Sequence, residues 1–178
     1  MVTLQWLASA KVTGRIADLT NAFGQARKTS RTNKLATKLP PGVTHPKVGP
    51  GQLLRVETEI YGLVSGPSWL RASLTVDLLA AGYKKNPYDK CLFTLFSSNE
   101  SSEGQLLLDV DDFIEGANEI HRETMRKFYD KYRGGQAIDL RLAGQEGTRF
   151  ARRRVVQHPD FRITVSMDEY VKSKHHSI

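Results

Sequence analysis

The 178-residue sequence predicts an α+β fold, because two helical patterns alternate with short strand patterns. The clearest helix is predicted over 67–81, where Leu70, Leu74 and Leu78 fall on one face at helical spacing. A second helix is predicted over 118–132. The predicted strands are short and apolar, and they lie at 11–19, 90–96, 105–109, 149–157 and 161–165. The succession of strand, helix, strand, strand, helix and strand is that of a split β-α-β, ferredoxin-like fold.

The predicted helices have recognisable ends. Pro67 suits the first turn of the first helix, and Ser65 or Gly66 is placed to cap it. Gly82 is placed to end this helix, and the glycine pair 134–135 ends the second. Turn-forming residues separate the strands in the same way. The polar stretches predicted as turns are 97–104 and 158–160.

The segment 24–55 is the most basic part of a chain whose net charge is +7. It holds seven Lys or Arg residues and no Asp or Glu, and its Gly and Pro residues predict a long loop or an irregular subdomain with a short strand at 34–39. A second basic cluster lies between 149 and 162. Such a distribution favours an anionic partner, most often nucleic acid, although a solvated basic surface explains the charge alone equally well.

Composition predicts one domain over 1–178, with a C-terminal tail at 166–178. No uniformly apolar run reaches the length of a membrane span, so no membrane partner is expected. Cys91 is the single cysteine, which excludes an intramolecular disulfide. It reads as a core residue rather than as a nucleophile, and a reducing, intracellular setting fits it.

Acidic residues are concentrated directly after a predicted strand. Asp109, Asp111 and Asp112 lie between apolar residues, where adjacent carboxylates repel one another and lose hydration unless a cation compensates them. An exposed acidic turn is the simpler interpretation. Asp18 ends the first predicted strand, which can lie beside the strands that carry the other acids. Three converging carboxylates are the composition that two-metal phosphoryl transfer needs, with Mg²⁺ as the preferred hard cation.

These acids belong to a series of short motifs that occur in a fixed order. The motifs are Asp18-Leu19-Thr20-Asn21-Ala22-Phe23, Pro40-Pro41-Gly42-Val43, Ile60-Tyr61-Gly62-Leu63, Gly66-Pro67 with Trp69, Gly82-Tyr83 with 89–93, and Leu108-Asp109-Val110-Asp111-Asp112. Over about residues 10–120, this set resembles the catalytic core of copia-type retrotransposon reverse transcriptases. The last motif is similar to their Tyr-Val-Asp-Asp box.

The resemblance implies a polymerase palm with a partial fingers insertion, acting as an RNA-directed DNA polymerase. It implies that Asp18, Asp111 and Asp112 are catalytic and hold two Mg²⁺ ions, which Mn²⁺ could replace. It implies nucleotide contacts from the Leu19 carbonyl, from the Phe23 ring as a steric gate against ribonucleotides, and from the turn at Gly66 and Pro67. The basic residues implied to contact nucleic-acid phosphates are Arg27, Lys28, Arg31, Lys34 and Lys38.

The same resemblance implies the partners and the setting. The expected partners are an RNA or DNA template-primer, deoxynucleoside triphosphates, and the fingers, thumb and RNase H segments of a polyprotein. Since the motif of Asp18 begins near the N-terminus and the chain ends soon after the palm motifs, a palm-centred fragment is expected. The family implies an intracellular location, in a cytoplasmic particle or the nucleus.

Departures from the family pattern leave a second hypothesis open. Asp109 stands where the family has Tyr, Val64 and Ser65 stand where it has Lys and Gln, and Arg152 stands where a Gly is expected. The alternative is a catalytically inactive remnant that retains a basic nucleic-acid-binding surface. A third candidate, a nucleotide cyclase on a palm-like fold, is disfavoured because the ordered motifs extend beyond the acids.

Overall fold

The computed structural model describes residues 2–30, 32–133, 137–168 and 171, which form an α+β fold. In this part of the chain the α-helices are α1 (Val2–Ser9), α2 (Ala22–Gln25), α3 (Gly66–Ala80) and α4 (Glu119–Lys131). The strands are β1 (Gly14–Asp18), β2 (Ala36–Thr37), β3 (Leu54–Arg55), β4 (Tyr83–Lys85), β5 (Leu92–Phe96), β6 (Ser102–Asp109), β7 (Asp112–Ala117), β8 (Ile138–Asp139), β9 (Thr148–Phe150), β10 (Arg153–Gln157) and β11 (Ile163–Ser166).

A six-stranded sheet in the order β4-β5-β6-β7-β1-β8 is the central layer. Its neighbouring strands are antiparallel wherever their pairing is described. A smaller sheet has the order β11-β10-β9, and β2 pairs with β3. Strands β7 and β1 are central: they pair with each other, and β6 and β8 flank them, so the backbone of each is paired on both sides.

Helices α2, α3 and α4 cover one face of the large sheet. Leu70, Leu74 and Leu78 of α3 are each 0% exposed, as their spacing predicts. They share a core with Phe113 of β7 and Met125 of α4. Burial of each such side chain stabilises the fold by ~1.5–3 kcal/mol relative to exposure. This is the larger of the two clusters of buried apolar residues, and it is therefore the main core.

Helix α1 and the small sheet cover the opposite face. Leu7 of α1 packs with Ile16 of β1 and Ile114 of β7, and Val155 of β10 completes this second core cluster. The alternation along β7 explains the two cores, since Phe113 and Ile114 point to opposite faces of the same strand.

The structure confirms several predicted elements. The helix predicted at 67–81 is α3, and that at 118–132 is α4, capped by the Asn118 side chain on the backbone N–H of His121. Strands lie within or overlap 11–19, 34–39, 90–96, 105–109 and 161–165. The turn predicted at 158–160 is present, with the Phe161 N–H donating to the His158 carbonyl. Ser65 occupies the cap position of α3 but makes no side-chain cap bond.

Other predictions were wrong in extent. The strand predicted over 149–157 is two strands, β9 and β10, divided by Ala151 and Arg152 in left-handed backbone conformation. The turn predicted at 97–104 is shorter, because β6 already begins at Ser102. No sequence pattern predicted α1, α2, β3, β4, β7 or β8. Strand β7 was overlooked because its first residue is one of the acids assigned to a turn.

The segment 24–55 is largely irregular, as predicted, and is fastened by the β2–β3 pair. The predicted tail at 166–178 begins with the last residue of β11, and 169–170 and 172–178 lie outside the described residues. None of the helices in the described part of the chain has the length and apolar character needed to cross a lipid bilayer.

Candidate functional site

The pairing of β1 with β7 brings two of the predicted catalytic residues together. Asp18 lies directly opposite Asp112 in the antiparallel ladder. The Leu19 N–H donates to the Asp111 carbonyl at 3.1 Å, so Leu19 and Asp111 form the hydrogen-bonded pair next to them. Asp18 and Asp112 therefore occupy the alternate kind of pair, in which Cα atoms are about 4.5 Å apart and side chains approach closely.

Asp111 lies in the two-residue turn that joins β6 to β7. Asp109 pairs with Asp112 across this hairpin, with Val110 and Asp111 as the turn residues. Val110 has a φ of 59°, a left-handed conformation that is unfavourable for a β-branched side chain. Backbone strain of this kind is concentrated at functional sites, so the turn is a candidate for such a role.

The register places a row of carboxylates across three neighbouring strands. Asp109 on β6 faces Asp112 on β7, and Asp112 faces Asp18 on β1, so the three share one face of the sheet. Burial, together with the charges of Asp111, Asp18 and Asp109, raises the pKa of Asp112 to about 6, and a hydrogen bond to the Ala151 backbone offsets part of this rise. Burial likewise raises the pKa of Asp111. A bound cation would relieve this repulsion.

A cleft of about 620 Å³ opens at this end of the sheet. Its walls come from four separate parts of the chain: α2, the 61–67 segment, the β6–β7 turn and the β9–β10 turn. The lining residues are Phe23, Tyr61, Gly62, Leu63, Val64, Pro67, Asp109, Val110, Asp111, Asp112, Ala151 and Arg152. One wall is thus acidic, while the facing wall is mainly apolar.

The predicted nucleotide contacts lie at this cleft or next to it. Phe23 is 8% exposed, and its ring meets that of Tyr61 edge to face at 5.6 Å. A Cβ atom on Gly66 would lie 3.1 Å from Phe23 Cε1, so glycine permits this close approach. Pro67 lines the cleft, whereas the Leu19 side chain is buried in the core and only its backbone is near the acids.

Two observations limit the fit to a metal ion. Asp18 is exposed and is not part of the cleft lining, although its charge acts on both Asp111 and Asp112. Among the residues that the structure describes, no three His, Cys, Asp or Glu side chains are arranged to hold an ion jointly. The donor chemistry of the row suits Mg²⁺, and its backbone positions are adjacent, but the side chains would have to reorient to share one ion.

The basic residues predicted to contact phosphates are divided among different environments. Arg27 pairs with Asp77 at 2.7 Å, and Lys28 pairs with Glu57 at 3.0 Å. The hydrogen bond from Lys28 is the main cause of a lowered pKa of Glu57, to which the charge of Lys34 also contributes. Lys38 lines a shallow pocket of the irregular segment, and Arg31 lies outside the described residues. None of the four that the structure describes lines the acidic cleft.

The sequence interpretation gave no site role to Tyr61, Val64 or the β9–β10 turn. Tyr61 is 85% exposed and Val64 is fully exposed, so both apolar side chains stand at the cleft mouth. Tyr61 and Val64 lie in or next to the sequence motif around Gly62, but the motif alone does not indicate which side chains line the cleft with the acids. Arg152, with a φ of 63°, reaches the cleft through a turn that the sequence interpretation placed inside a strand.

The described residues thus define an α+β protein with an acidic row beside a partly apolar cleft. No protein-family model, curated protein or solved structure matches the chain. The resemblance to copia-type reverse transcriptases therefore stays a prediction that rests on the sequence motifs.

Proposed function

We propose that the chain is the RNA-directed DNA polymerase module of a copia-type retrotransposon polyprotein. The observation that carries this proposal is the direct cross-strand pairing of Asp18 with Asp112, next to Asp111 in the adjoining turn. These residues are more than 90 positions apart in the sequence. The motif order predicts that they meet, whereas an unrelated acidic turn would require no such partner strand.

The arrangement of the large sheet supports the finer assignment of a polymerase palm. Strands β1, β6, β7 and β8, with α3 after the first and α4 after the third, follow the split β-α-β succession, whereas the sequence assigned its later strands to 90–96, 105–109 and 149–157. They are adjacent in the order β6-β7-β1-β8, and α3 and α4 contribute to the core on one face. In this interpretation 24–55 is the partial fingers insertion, and β4 and β5 extend the sheet edge.

The proposed chemistry assigns separate tasks to the two walls of the cleft. Asp18, Asp111 and Asp112 would hold two Mg²⁺ ions, which supply charge stabilisation for the attacking 3′-hydroxyl and for the leaving pyrophosphate. Phe23 and Tyr61 would form the apolar wall against the sugar, where a 2′-hydroxyl has no space. The partners are a template-primer, deoxynucleoside triphosphates and the remaining polyprotein segments.

Mn²⁺ binding tests the carboxylate site without requiring turnover. Electron paramagnetic resonance titration should show that Asp111→Asn weakens Mn²⁺ affinity at least about tenfold, because the variant loses one charged oxygen ligand. Primer extension on an RNA template with Mg²⁺ should fall to background in the same variant. Asp130→Asn is the matched control, since Asp130 is an exposed carboxylate on α4 that is not part of the cleft lining.

Equal Mn²⁺ affinities of the unchanged chain, Asp111→Asn and Asp130→Asn would contradict the proposed metal site. Extension that survived Asp111→Asn would contradict the catalytic role. Circular dichroism of each variant establishes that the fold is retained, so that either result is a property of the site.

The alternative, an inactive nucleic-acid-binding remnant, is favoured by one specific observation. Asp109 lines the cleft and adds a fourth carboxylate where the family has an aromatic ring. A charged group there repels the primer end and offers no stacking surface, so it disfavours catalysis in the cleft, and the remnant would bind nucleic acid through its basic residues instead. The remnant predicts that a labelled primer-template is bound in a gel-shift assay while Mn²⁺ affinity is insensitive to Asp111→Asn and extension is absent.

A further inference from the structure

A second cavity, of about 670 Å³, lies on the helical side of the protein. Helix α2 contributes to both cavities, with Phe23 in the cleft and Gly24 and Gln25 in this one. The full lining is Asn21, Gly24, Gln25, Arg27, Asp77, Lys131, Tyr132 and Arg133. It therefore brings together three cations and one carboxylate from α3, α4 and the chain around α2. We call it the basic cavity.

Asp77 holds two of the cations in place. One of its oxygens, Oδ1, accepts from Arg27 Nη2 at 2.7 Å, and the other, Oδ2, lies 2.8 Å from Lys131 Nζ and also accepts from the Tyr132 hydroxyl. The Asp77 side chain is only 9% exposed. Burial opposes its ionisation, but the hydrogen bonds from Lys131, Tyr132 and Arg27 prevail and lower its pKa. The carboxylate is ionised at neutral pH and serves as a fixed anchor.

Arg27 and Lys131 retain positive charge and N–H donors that Asp77 does not engage. Two oxygens of Asp77 already accept three donors, while a guanidinium has five N–H groups and an ammonium has three. The side chains of Arg27 and Lys131 remain 53% and 58% exposed, and Arg133 adds a further positive charge. The basic cavity thus carries an excess of about two positive charges, and Asp77 already restricts the positions of two of its three cations, Arg27 and Lys131.

Backbone and side-chain contacts restrict the arginine further. The Arg27 N–H donates to Ser73 Oγ at 3.1 Å, and the Arg27 carbonyl accepts from Trp69 Nε1 at 2.8 Å. Both partners belong to α3, as does Asp77. Arg27 is therefore attached to α3 through its main chain and its guanidinium.

We propose that the basic cavity binds a phosphate group, with Arg27, Lys131 and Arg133 as its ligands and Asp77 as the positioning residue. Cations that are restricted in advance, with spare N–H donors in an open polar cavity, are suited to a multiply charged oxyanion. The phosphate can come from a free anion such as pyrophosphate or from the backbone of a nucleic-acid strand. This site does not depend on the acidic cleft, and its test contains no metal ion.

Calorimetric titration at low salt with two probes tests the proposal. The probes are inorganic pyrophosphate and a 12-nucleotide oligothymidylate. Lys131→Gln should weaken binding of at least one probe about tenfold, because a charge-assisted hydrogen bond is lost. Lys127→Gln is the matched control, since it removes the same charge one turn earlier on α4, where Lys127 is 71% exposed and pairs with Glu123. It should change affinity less than twofold.

Arg133→Gln is the second variant, because it leaves the contacts of Asp77 intact. It should weaken the same probe while circular dichroism and melting temperature stay unchanged. Pyrophosphate binding that is lost in both variants identifies a free-anion site, and oligonucleotide binding alone identifies a backbone site. Equal weakening by Lys127→Gln and Lys131→Gln, or failure of both probes to bind, would overturn the proposal.

Discussion

At the scale of single residues, Asp112 shows how the fold opposes ionisation of a carboxyl group. Its side chain is partly buried, it faces Asp18 across the ladder, and it is next to Asp111. Burial and these like charges raise its pKa to about 6 from an unfolded value near 3.8. Between these two pH values the folded protein binds a proton that the unfolded chain has released. Stability therefore falls as the pH rises through this window.

Asp112→Asn should remove most of this pH dependence. After allowance for solvent screening, the ionised carboxylate is expected to destabilise the fold by ~1 kcal/mol above about pH 6. The variant should thus be more stable than the unchanged protein at pH 7.5 and nearly equal to it at pH 4.5. Urea unfolding at both pH values measures the difference. A variant that is equally or less stable at pH 7.5 would show that Asp112 is not electrostatically strained.

At the scale of elements, Gly104 allows β6 to pass beneath α4. A Cβ atom at this position would lie 2.3 Å from Ala117 Cβ and 2.4 Å from His121 Nδ1. Neither neighbour can move easily, because Ala117 belongs to the paired strand and the His121 ring is fully buried. A glycine inside a strand often marks such a close approach.

Gly104→Ala should destabilise the protein by ~1–3 kcal/mol, which is the usual effect of overpacking a core. Gly49→Ala is the matched control, since a Cβ atom there meets nothing closer than Gln52 Oε1 at 3.9 Å. Urea denaturation of both variants measures the effect. Equal stabilities of the two alanine variants would show that α4 can retreat from β6 without loss.

The same position shows why some elements could be predicted and others could not. Helix α3 was predictable because Leu70, Leu74 and Leu78 carry a period that only a helix satisfies. Gly104 stands among polar residues and reads as a turn, so the true start of β6 was missed. Strand β7 begins with an acidic residue and carries Glu115 in its middle, which conceals its burial. The start of β6 and the burial of β7 are determined by contacts with other parts of the fold, and a local sequence pattern does not contain those contacts.

At the scale of the whole molecule, sites form where distant segments meet, and their predictability differs. The meeting of Asp18 with Asp112 was predictable, because ordered motifs imply a strand arrangement that brings them together. The basic cavity was not, because Asp77 and Lys131 each read locally as a solvated surface charge, and Arg27 was predicted only as one of several phosphate contacts in a basic segment. Nothing in a single sequence indicates that Asp77 pairs with both Arg27 and Lys131.

A buried polar network joins the layers of the molecule. Glu115 on β7 is 0% exposed and lies opposite Arg15 on β1. Arg15 Nη2 is 2.8 Å from Glu115 Oε1, and the two form an ion pair without the alignment of a hydrogen bond. Glu115 also contacts His121 and accepts from the Tyr129 hydroxyl at 3.2 Å, both on α4. Tyr83 of β4 reaches His121 Nδ1 at 2.9 Å. A single carboxylate thus connects β1 and β7 to α4, and through His121 to β4.

Glu115→Gln should therefore destabilise the whole domain rather than one element. Loss of the charge leaves Arg15 poorly compensated in the interior, for which ~3 kcal/mol is expected. Glu123→Gln, which removes an exposed carboxylate on α4, should have no measurable effect. Urea denaturation measures the loss, and amide hydrogen exchange should show faster opening of β1, β7 and α4 together. Faster exchange confined to α4 would mean that the network stabilises only that helix, because the two central strands would then retain their protection without the buried charge.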